Sequence, residues 1–273
     1  MPRQHESDQL DALVDAVLAS SHYKDIAPSL IRSIGQQELA KRRTTKEAVK
    51  ATKNKLHQVT GAYMEGKRHY DDWLARLRTT MHARNETALR EQCKQIMSYH
   101  ASTRERLPIL DQFYTEIFAL LPPVRSVLDI ACGLNPLALP WMPLAAETTY
   151  IACDIHQPIM AFLQAWLKMS QVPGRAEVRD VLTSCPTEKV DVAFLLKTLP
   201  CLEQVDKTAS KRLLATLQAD FLVVSYPAQS LGGRNKGMME YYEKHFRELA
   251  THQTWQITRL MFSSELVFVV KTN

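Results

Sequence analysis

Three aspartates at the ends of successive apolar runs are the residues best placed for chemistry. Val127-Leu128-Asp129-Ile130-Ala131-Cys132-Gly133 reads as a buried strand entering a turn, where Gly133 lets backbone approach a ligand closely. About 20 residues later, the next apolar run ends in Cys153-Asp154, where a carboxylate can accept both hydroxyls of a ribose. Asp180, in Arg179-Asp180-Val181, falls where a further strand should end and can take the exocyclic amine of an adenine. Singly, each acid is equally consistent with a capped turn. In register, the three describe an adenosine pocket.

A nicotinamide-dependent dehydrogenase places its ribose acid similarly, but seats a pyrophosphate on a GxGxxG turn at a helix N-terminus. Here the turn runs Gly133-Leu134-Asn135-Pro136-Leu137, with one glycine. That favours a phosphate-free adenosine ligand such as S-adenosylmethionine.

Elements that alternate in the right order must position these acids. Runs at 125–131, 149–153, 190–196 and 221–225, and a final pair at 257–261 and 266–270, read as strands, several of them continuously apolar. Helical stretches separate most of them, which predicts a mainly parallel sheet covered on both faces, with its ligand site at the strands' carboxyl ends. The last pair predicts an antiparallel hairpin at the sheet end.

The first hundred residues read as helices. Leu10, Leu13, Val14, Val17 and Leu18 repeat at helical spacing behind Ser7 as an N-cap, and a second helix starts near Pro28 with Leu30, Ile31, Ile34 and Leu39. Thr44 and Glu47, at capping-box spacing, announce a third. Trp73 to Met81, Leu89 to Met97, and Ile109 to Leu121 up to Pro122-Pro123 mark three more. The chain thus divides into a helical part, 1–106, and an α/β part, 107–273.

With 45% hydrophobic and 23% charged residues in 273, the chain has the composition of a folded protein. Its five cysteines lack CxxC spacing, which argues against a disulfide framework or a zinc site and fits a reducing cytoplasm. No metal site is expected. The first residues lack a signal-peptide pattern, and no apolar run approaches a span of ~20 residues. The net charge of +5 is unevenly spread. Lys46, Lys50, Lys53 and His57 recur at i, i+4, i+7 and i+11, so the third helix carries a basic stripe suited to RNA phosphates. A merely solvated face is the alternative. The segment 230–238 places Arg234 and Lys236 among three glycines after a strand end, as a loop able to close over nucleic acid.

Longer motifs carry a resemblance. His100-Ala101-Ser102-Thr103-Arg104-Glu105-Arg106-Leu107, Asp129 to Leu137, Leu196-Lys197-Thr198-Leu199-Pro200-Cys201-Leu202-Glu203 and the 230–238 loop together resemble the aminoglycoside-resistance 16S rRNA (guanine-1405, N7) methyltransferases, of the acquired Rmt/Arm type. Leu56-His57 and Gly61-Ala62-Tyr63 extend the likeness. Tyr226 stands where phenylalanine is expected, and 64–80 and 141–147 match less well.

The resemblance implies a Rossmann-like class I S-adenosylmethionine-dependent methyltransferase sheet with an α-helical N-terminal extension that docks on the assembled 30S subunit, without an obligate protein partner. It implies that Arg104 pairs with the methionine carboxylate and Asp154 with the ribose. Asp180, Val181 and Leu196 surround the adenine, and Tyr63, His100, Ala101, Ser102, Thr103, Ala131, Gly133 and Ile155 complete the pocket. Lys197, Glu203, Arg234 and Glu265 lie near the target base, and Arg234, Lys236 and Met238 contact RNA. Guanine N7 offers an unprotonated lone pair, so the reaction needs no general base. Lys197 is then a positioner. A related enzyme for a different rRNA base and a non-catalytic ribosome-binding protein are the competing readings.

Overall fold

The computed structural model describes residues 2–61, 69–228 and 237–272, without the side chains of 2–6. Helix α1 (Pro2–Leu18) begins five residues ahead of the expected cap, so Ser7 is an exposed interior residue. A proline suits a first helical turn, and no breaker lies between it and Ser7. Helix α2 (Pro28–Leu39) starts at the expected proline, and α3 (Thr45–Leu56) follows Thr44, whose hydroxyl accepts the Glu47 N–H at 3.3 Å. Leu13, Val17, Leu30, Ile31, Ile34, Ala48 and Leu56 of these three helices bury one another. A π-helical turn (His57–Gly61) prolongs α3.

Helices α4 (Tyr70–His82), α5 (Glu86–Met97), α6 (Ala101–Arg106) and α7 (Leu110–Phe118) follow. Trp73, Leu77, Cys93, Ile96 and Met97 of α4 and α5 join Phe113, Tyr114 and Ile117 of α7 in the apolar cluster that covers the sheet. Packing therefore changes partner after α3, whereas the change of hydrophobic period falls after α7.

The remaining elements are β1 (Ser126–Ile130), β2 (Thr149–Asp154), α8 (Gln157–Met169), β3 (Gly174–Val178), β4 (Lys189–Leu196), α9 (Thr198–Val205), α10 (Ala209–Thr216), β5 (Gln218–Pro227), α11 (Met238–Leu249), β6 (Gln256–Met261) and β7 (Glu265–Lys271). They build one seven-stranded sheet in the order β3-β2-β1-β4-β5-β7-β6. The first five strands are parallel; β7 runs antiparallel to β5 and pairs with β6 in the expected hairpin. β7 is buried until its last residue and lies inside, while the largely exposed β6 forms the edge.

Alternation sorts the strands' side chains into two cores. Val127, Tyr150, Ala152, Val192, Phe194 and Val223 face α4, α5, α7 and α8. Leu128, Ile130, Ile151, Cys153, Ala193, Leu195, Leu222 and Val224 face Leu213, Leu214 and Phe246 of α10 and α11. Both faces being covered, the strands read as unbroken apolar runs. The strand order reverses between β1 and β4, so the crevice beyond their carboxyl ends is where a ligand belongs.

Candidate functional site

At that crevice the backbone adopts conformations that side chains rarely take. Ala131 follows β1 at φ +51°, Gly133 lies at +52°, and Lys197 follows β4 at +59°. Such left-handed residues cluster where a site must be held in one shape. The Gly133 N–H donates to Asp154 Oδ2 at 3.0 Å, and Asp154 Oδ1 accepts the His156 N–H at 3.2 Å. Asp180 accepts the Leu182 N–H on Oδ1 and the Thr183 hydroxyl on Oδ2, both at 3.0 Å. Burial raises both carboxyls above their ordinary range, against the pull of these hydrogen bonds.

These two acids open onto one cleft with about 900 Å³ of space, part of it continuous with solvent. His100, Ser102, Ala131, Ile155, Val181, Leu196 and Lys197 line it with them, so nine of the sequence-predicted residues meet there. His100 packs against Gly133: a Cβ at that glycine would fall 2.6 Å from His100 Cε1. Burial first, then the charges of Arg106, His156, Lys197 and Arg104, pushes the His100 imidazole down to about 3, so it is neutral.

Other predicted residues are not among those that line the cleft. Thr103 is fully buried, and its hydroxyl donates towards the carbonyls of Met97 (2.6 Å) and His100 (3.0 Å), which shapes the turn into α6. Ala101 is buried beside it, and Arg104 Nη1 reaches the Ser98 carbonyl at 3.4 Å. Glu265, fully buried, receives Arg106 bidentately, Nε to Oε1 at 2.8 Å and Nη2 to Oε2 at 3.1 Å. Burial alone would raise the Glu265 carboxyl, but Arg106 and then Lys197 outweigh it and the net shift is downward. Arg106 Nη1 continues to Asn135 Oδ1 (2.8 Å), and Asn135 Nδ2 and the Tyr150 hydroxyl donate to Asp129 Oδ2 (2.9 and 2.7 Å). Asp129, read from sequence as the first acid of the pocket, is thus a fully buried anchor beneath it, and burial lifts its carboxyl to about 6.

Lys197 joins this network to the cleft. Its Nζ contacts Glu105 Oε2 at 2.6 Å, Glu265 Oε1 at 3.4 Å and the Ser102 carbonyl at 3.5 Å. A fixed ammonium group therefore stands at the cleft wall between two carboxylates. Such a pocket can hold an adenosine by its two acids, shows no pyrophosphate cradle among the described residues, and presents a fixed cation at its wall.

Comparison with known proteins decides the family. Residues 19–269 match the model of the family described as ribosomal RNA methyltransferase (FmrO). This chain belongs to that family. It is similar to a 16S rRNA (guanine(1405)-N(7))-methyltransferase of Micromonospora rosea, with 38% identity over 96% of this chain and 97% of the relative. A protein of the same name from Serratia marcescens is 33% identical over 96% and 98%. A solved structure of the 16S rRNA methyltransferase RmtF in complex with S-adenosyl-L-homocysteine superposes with a TM-score of 0.80 at 34% identity, over 97% of this chain and 98% of that one.

In this FmrO-family methyltransferase the basic stripe is only partly as read. Lys46, Lys50 and His57 are exposed on the side of α3 away from the buried Ala48, Thr52 and Leu56, while Lys53 is half-buried. Glu38, outside the run, holds Arg42 Nε at 3.1 Å and Lys41 Nζ at 3.7 Å, so the neighbouring charge is less concentrated than the sequence suggests. Glu203 lies on α9 with both carboxylate oxygens on His245 Nε2, at 2.9 and 3.0 Å. Met238, half-buried, is the first residue of α11. Tyr63, Arg234 and Lys236 lie outside the described residues.

The sequence reading missed part of the cleft wall. Leu30 of α2 and Val59 and Thr60 of the π-helical turn line it opposite Cys201, Leu202 and Val205 of α9. Leu30 carries only the signal of a core residue. Val59 also reads as core.

Proposed function

We propose that this methyltransferase transfers a methyl group from S-adenosylmethionine to N7 of guanine 1405 of 16S rRNA in the assembled 30S subunit, and so protects the ribosome from aminoglycosides. What carries the reading is full-length kinship with enzymes of that name. The cleft chemistry supports it, with two carboxylates suited to ribose and adenine and a turn that suits a ligand without phosphates. Asp154 and Asp180 hold the adenosine, with Val181 and Leu196 as its apolar walls; Arg104 takes the methionine carboxylate. S-adenosylmethionine supplies the electrophilic methyl.

The protein's own task is placement. Guanine N7 carries its lone pair unprotonated, so no side chain has to remove a proton. Lys197, clamped by Glu105 and Glu265, acts as a fixed charge that orients the base. An A-form major groove is too narrow for side chains, so the guanine must leave its stack to reach the cleft. Lys46 and Lys50 on α3 and His57 at its end, with Arg234, Lys236 and Met238 after β5, supply RNA contacts, which makes binding fall steeply with salt. The enzyme works in the cytoplasm, where 30S subunits are. Methylated N7 is cationic and has lost an acceptor, so an aminoglycoside loses a charge-assisted hydrogen bond of ~1.5–3 kcal/mol.

The test is transfer of radiolabelled methyl from S-adenosylmethionine to purified 30S subunits, with primer extension after N7-specific cleavage. Label at guanine 1405, lost in Asp154→Ala, is the expected result. Label at another base would move the enzyme to a different rRNA target, and cofactor binding without label on 30S would make it a non-catalytic binder of the particle.

A further inference from the structure

Tyr241 is the most exposed large hydrophobic side chain among the described residues, at 62%, with the others at 42% or below. It stands on the first turn of α11, the helix that follows the carboxyl end of β5, and so on the cleft side of the sheet. Its ring is not loose. It lies parallel to the His245 imidazole, with 6° between planes and 6.0 Å between centroids, and Tyr242 meets it in a T-shaped contact at 5.5 Å. His245 is itself fixed by both oxygens of Glu203. Glu203 belongs to α9, whose Cys201, Leu202 and Val205 line the cleft.

A chain of contacts thus runs from the cleft wall through Glu203 and His245 to an aromatic ring held in water. Leaving that much apolar surface exposed gains nothing for the fold. A rigid aromatic with a polar hydroxyl, pre-set against a second ring, is the device by which proteins receive an unstacked nucleobase. Three residues on, along the same face, the 80%-exposed Lys244 side chain, loosely paired with the exposed Glu248 at 4.0 Å, offers a cation that an adjoining phosphate can take over. Both carboxylate oxygens of Glu203 lie against His245 Nε2, so the carboxylate is turned towards the imidazole.

We propose that Tyr241 is a stacking platform for an RNA nucleobase flanking the target guanine, and that Glu203 acts on RNA only through His245, as a positioning residue. The partner is a flanking base because His245 and Glu203 stand between the ring and the cleft. This rests on the RNA-substrate reading above. The platform steadies the distorted RNA while the target guanine is out of its stack.

The test compares Tyr241→Ala, Tyr241→Phe and Glu203→Gln in methyl transfer to 30S subunits and in binding of S-adenosylhomocysteine. Tyr241→Ala raises KM for 30S roughly 5- to 100-fold, the range for loss of one base–aromatic stack, and leaves S-adenosylhomocysteine affinity unchanged. Tyr241→Phe, which keeps the ring, recovers most of the loss, and Glu203→Gln shows a partial KM effect. A photo-crosslinking benzoylphenylalanine at position 241 attaches to 16S rRNA beside the target. Wild-type protein that methylates no RNA sinks the proposed function and the platform together. Wild-type activity that Tyr241→Ala leaves within twofold, or a crosslink to a ribosomal protein, overturns the platform alone.

Discussion

Gly133→Ala tests how the cleft is built, because two separate costs meet at that residue. At φ +52° an alanine enters the left-handed region, at roughly 1–2 kcal/mol. Its Cβ would also lie 2.6 and 2.7 Å from His100 Cε1 and Nε2. The imidazole has little room to yield, being buried and held to the Ser102 hydroxyl through Nδ1 at 3.0 Å. Overpacking of this kind costs about 1–3 kcal/mol, so the variant loses about 2–5 kcal/mol in all. The backbone N–H that Gly133 gives Asp154 shifts with it. Affinity for S-adenosylhomocysteine therefore drops at least tenfold, about 1.4 kcal/mol or more. Urea unfolding measures the first quantity and titration calorimetry the second. A double-mutant cycle with His100→Ala separates the terms, since it removes the contact and leaves the dihedral cost. An alanine variant with stability and affinity both unchanged would refute the reasoning.

Two further predictions concern the network under the site. Arg106→Met leaves the Glu265 carboxylate buried without its bidentate partner and should cost about 3–5 kcal/mol in denaturant unfolding. Adding Glu265→Leu should restore much of that stability but not methyl transfer, because Lys197 still lacks its second carboxylate; restored activity would contradict the clamp. In pH, His100 and Asp129 oppose each other. His100 protonates near 6.5 unfolded but near 3 folded, so its contribution to stability falls as pH drops from 6.5 towards 3. Asp129 protonates near 3.8 unfolded and near 6 folded, so its contribution falls as pH rises from 4 to 6. Asp129→Asn removes the second slope, and the variant's denaturation midpoints between pH 4 and 6 should decline towards acid more steeply than wild type, by up to ~1.4 kcal/mol per pH unit. Parallel profiles would show that Asp129 does not carry a proton in this range.

What could be read from the sequence, and what could not, follows from how far a residue's signal reaches along the chain. The central strands announce themselves because burial on both faces makes each an apolar run, and Thr44 and Pro28 announce helix starts because capping is local. β3 leaves no such mark: Gly-Arg-Ala-Glu-Val sits at the sheet edge, half exposed, and only the position of its end was inferable from Asp180. Asp154 and Asp180 are legible because one closes β2 and the other lies two residues past β3. Asp129 lies one residue before the end of β1 and faces the other way, towards Tyr150 and Asn135 instead of the crevice. Periodicity tells which side of the strand is buried, not what lies there.

The same limit hides the partners that meet from far apart in the chain. Glu265 and Arg106 are 159 residues apart, and nothing along the chain says that one neutralises the other. The clearest case is the helical N-terminus, whose Leu30 reads as core and does pack with Leu13 and Ile31. Yet the Ala27 N–H donates to the Ile155 carbonyl at 2.9 Å, and the Gln157 N–H to the Asp25 carbonyl at 3.0 Å, on either side of His156 and just beyond Asp154. These two bonds pin the start of α2 to the loop that follows Asp154, which is why Leu30 reaches the cleft. Val59 and Thr60 arrive by the π-helical turn that extends the basic helix. The segment that presents Lys46, Lys50 and His57 to solvent therefore ends as a wall of the cleft. Under the proposed function, substrate-facing and cofactor-facing surfaces are then two sides of one short helical unit, a relation fixed by tertiary contacts across more than 90 residues and so invisible to any local pattern.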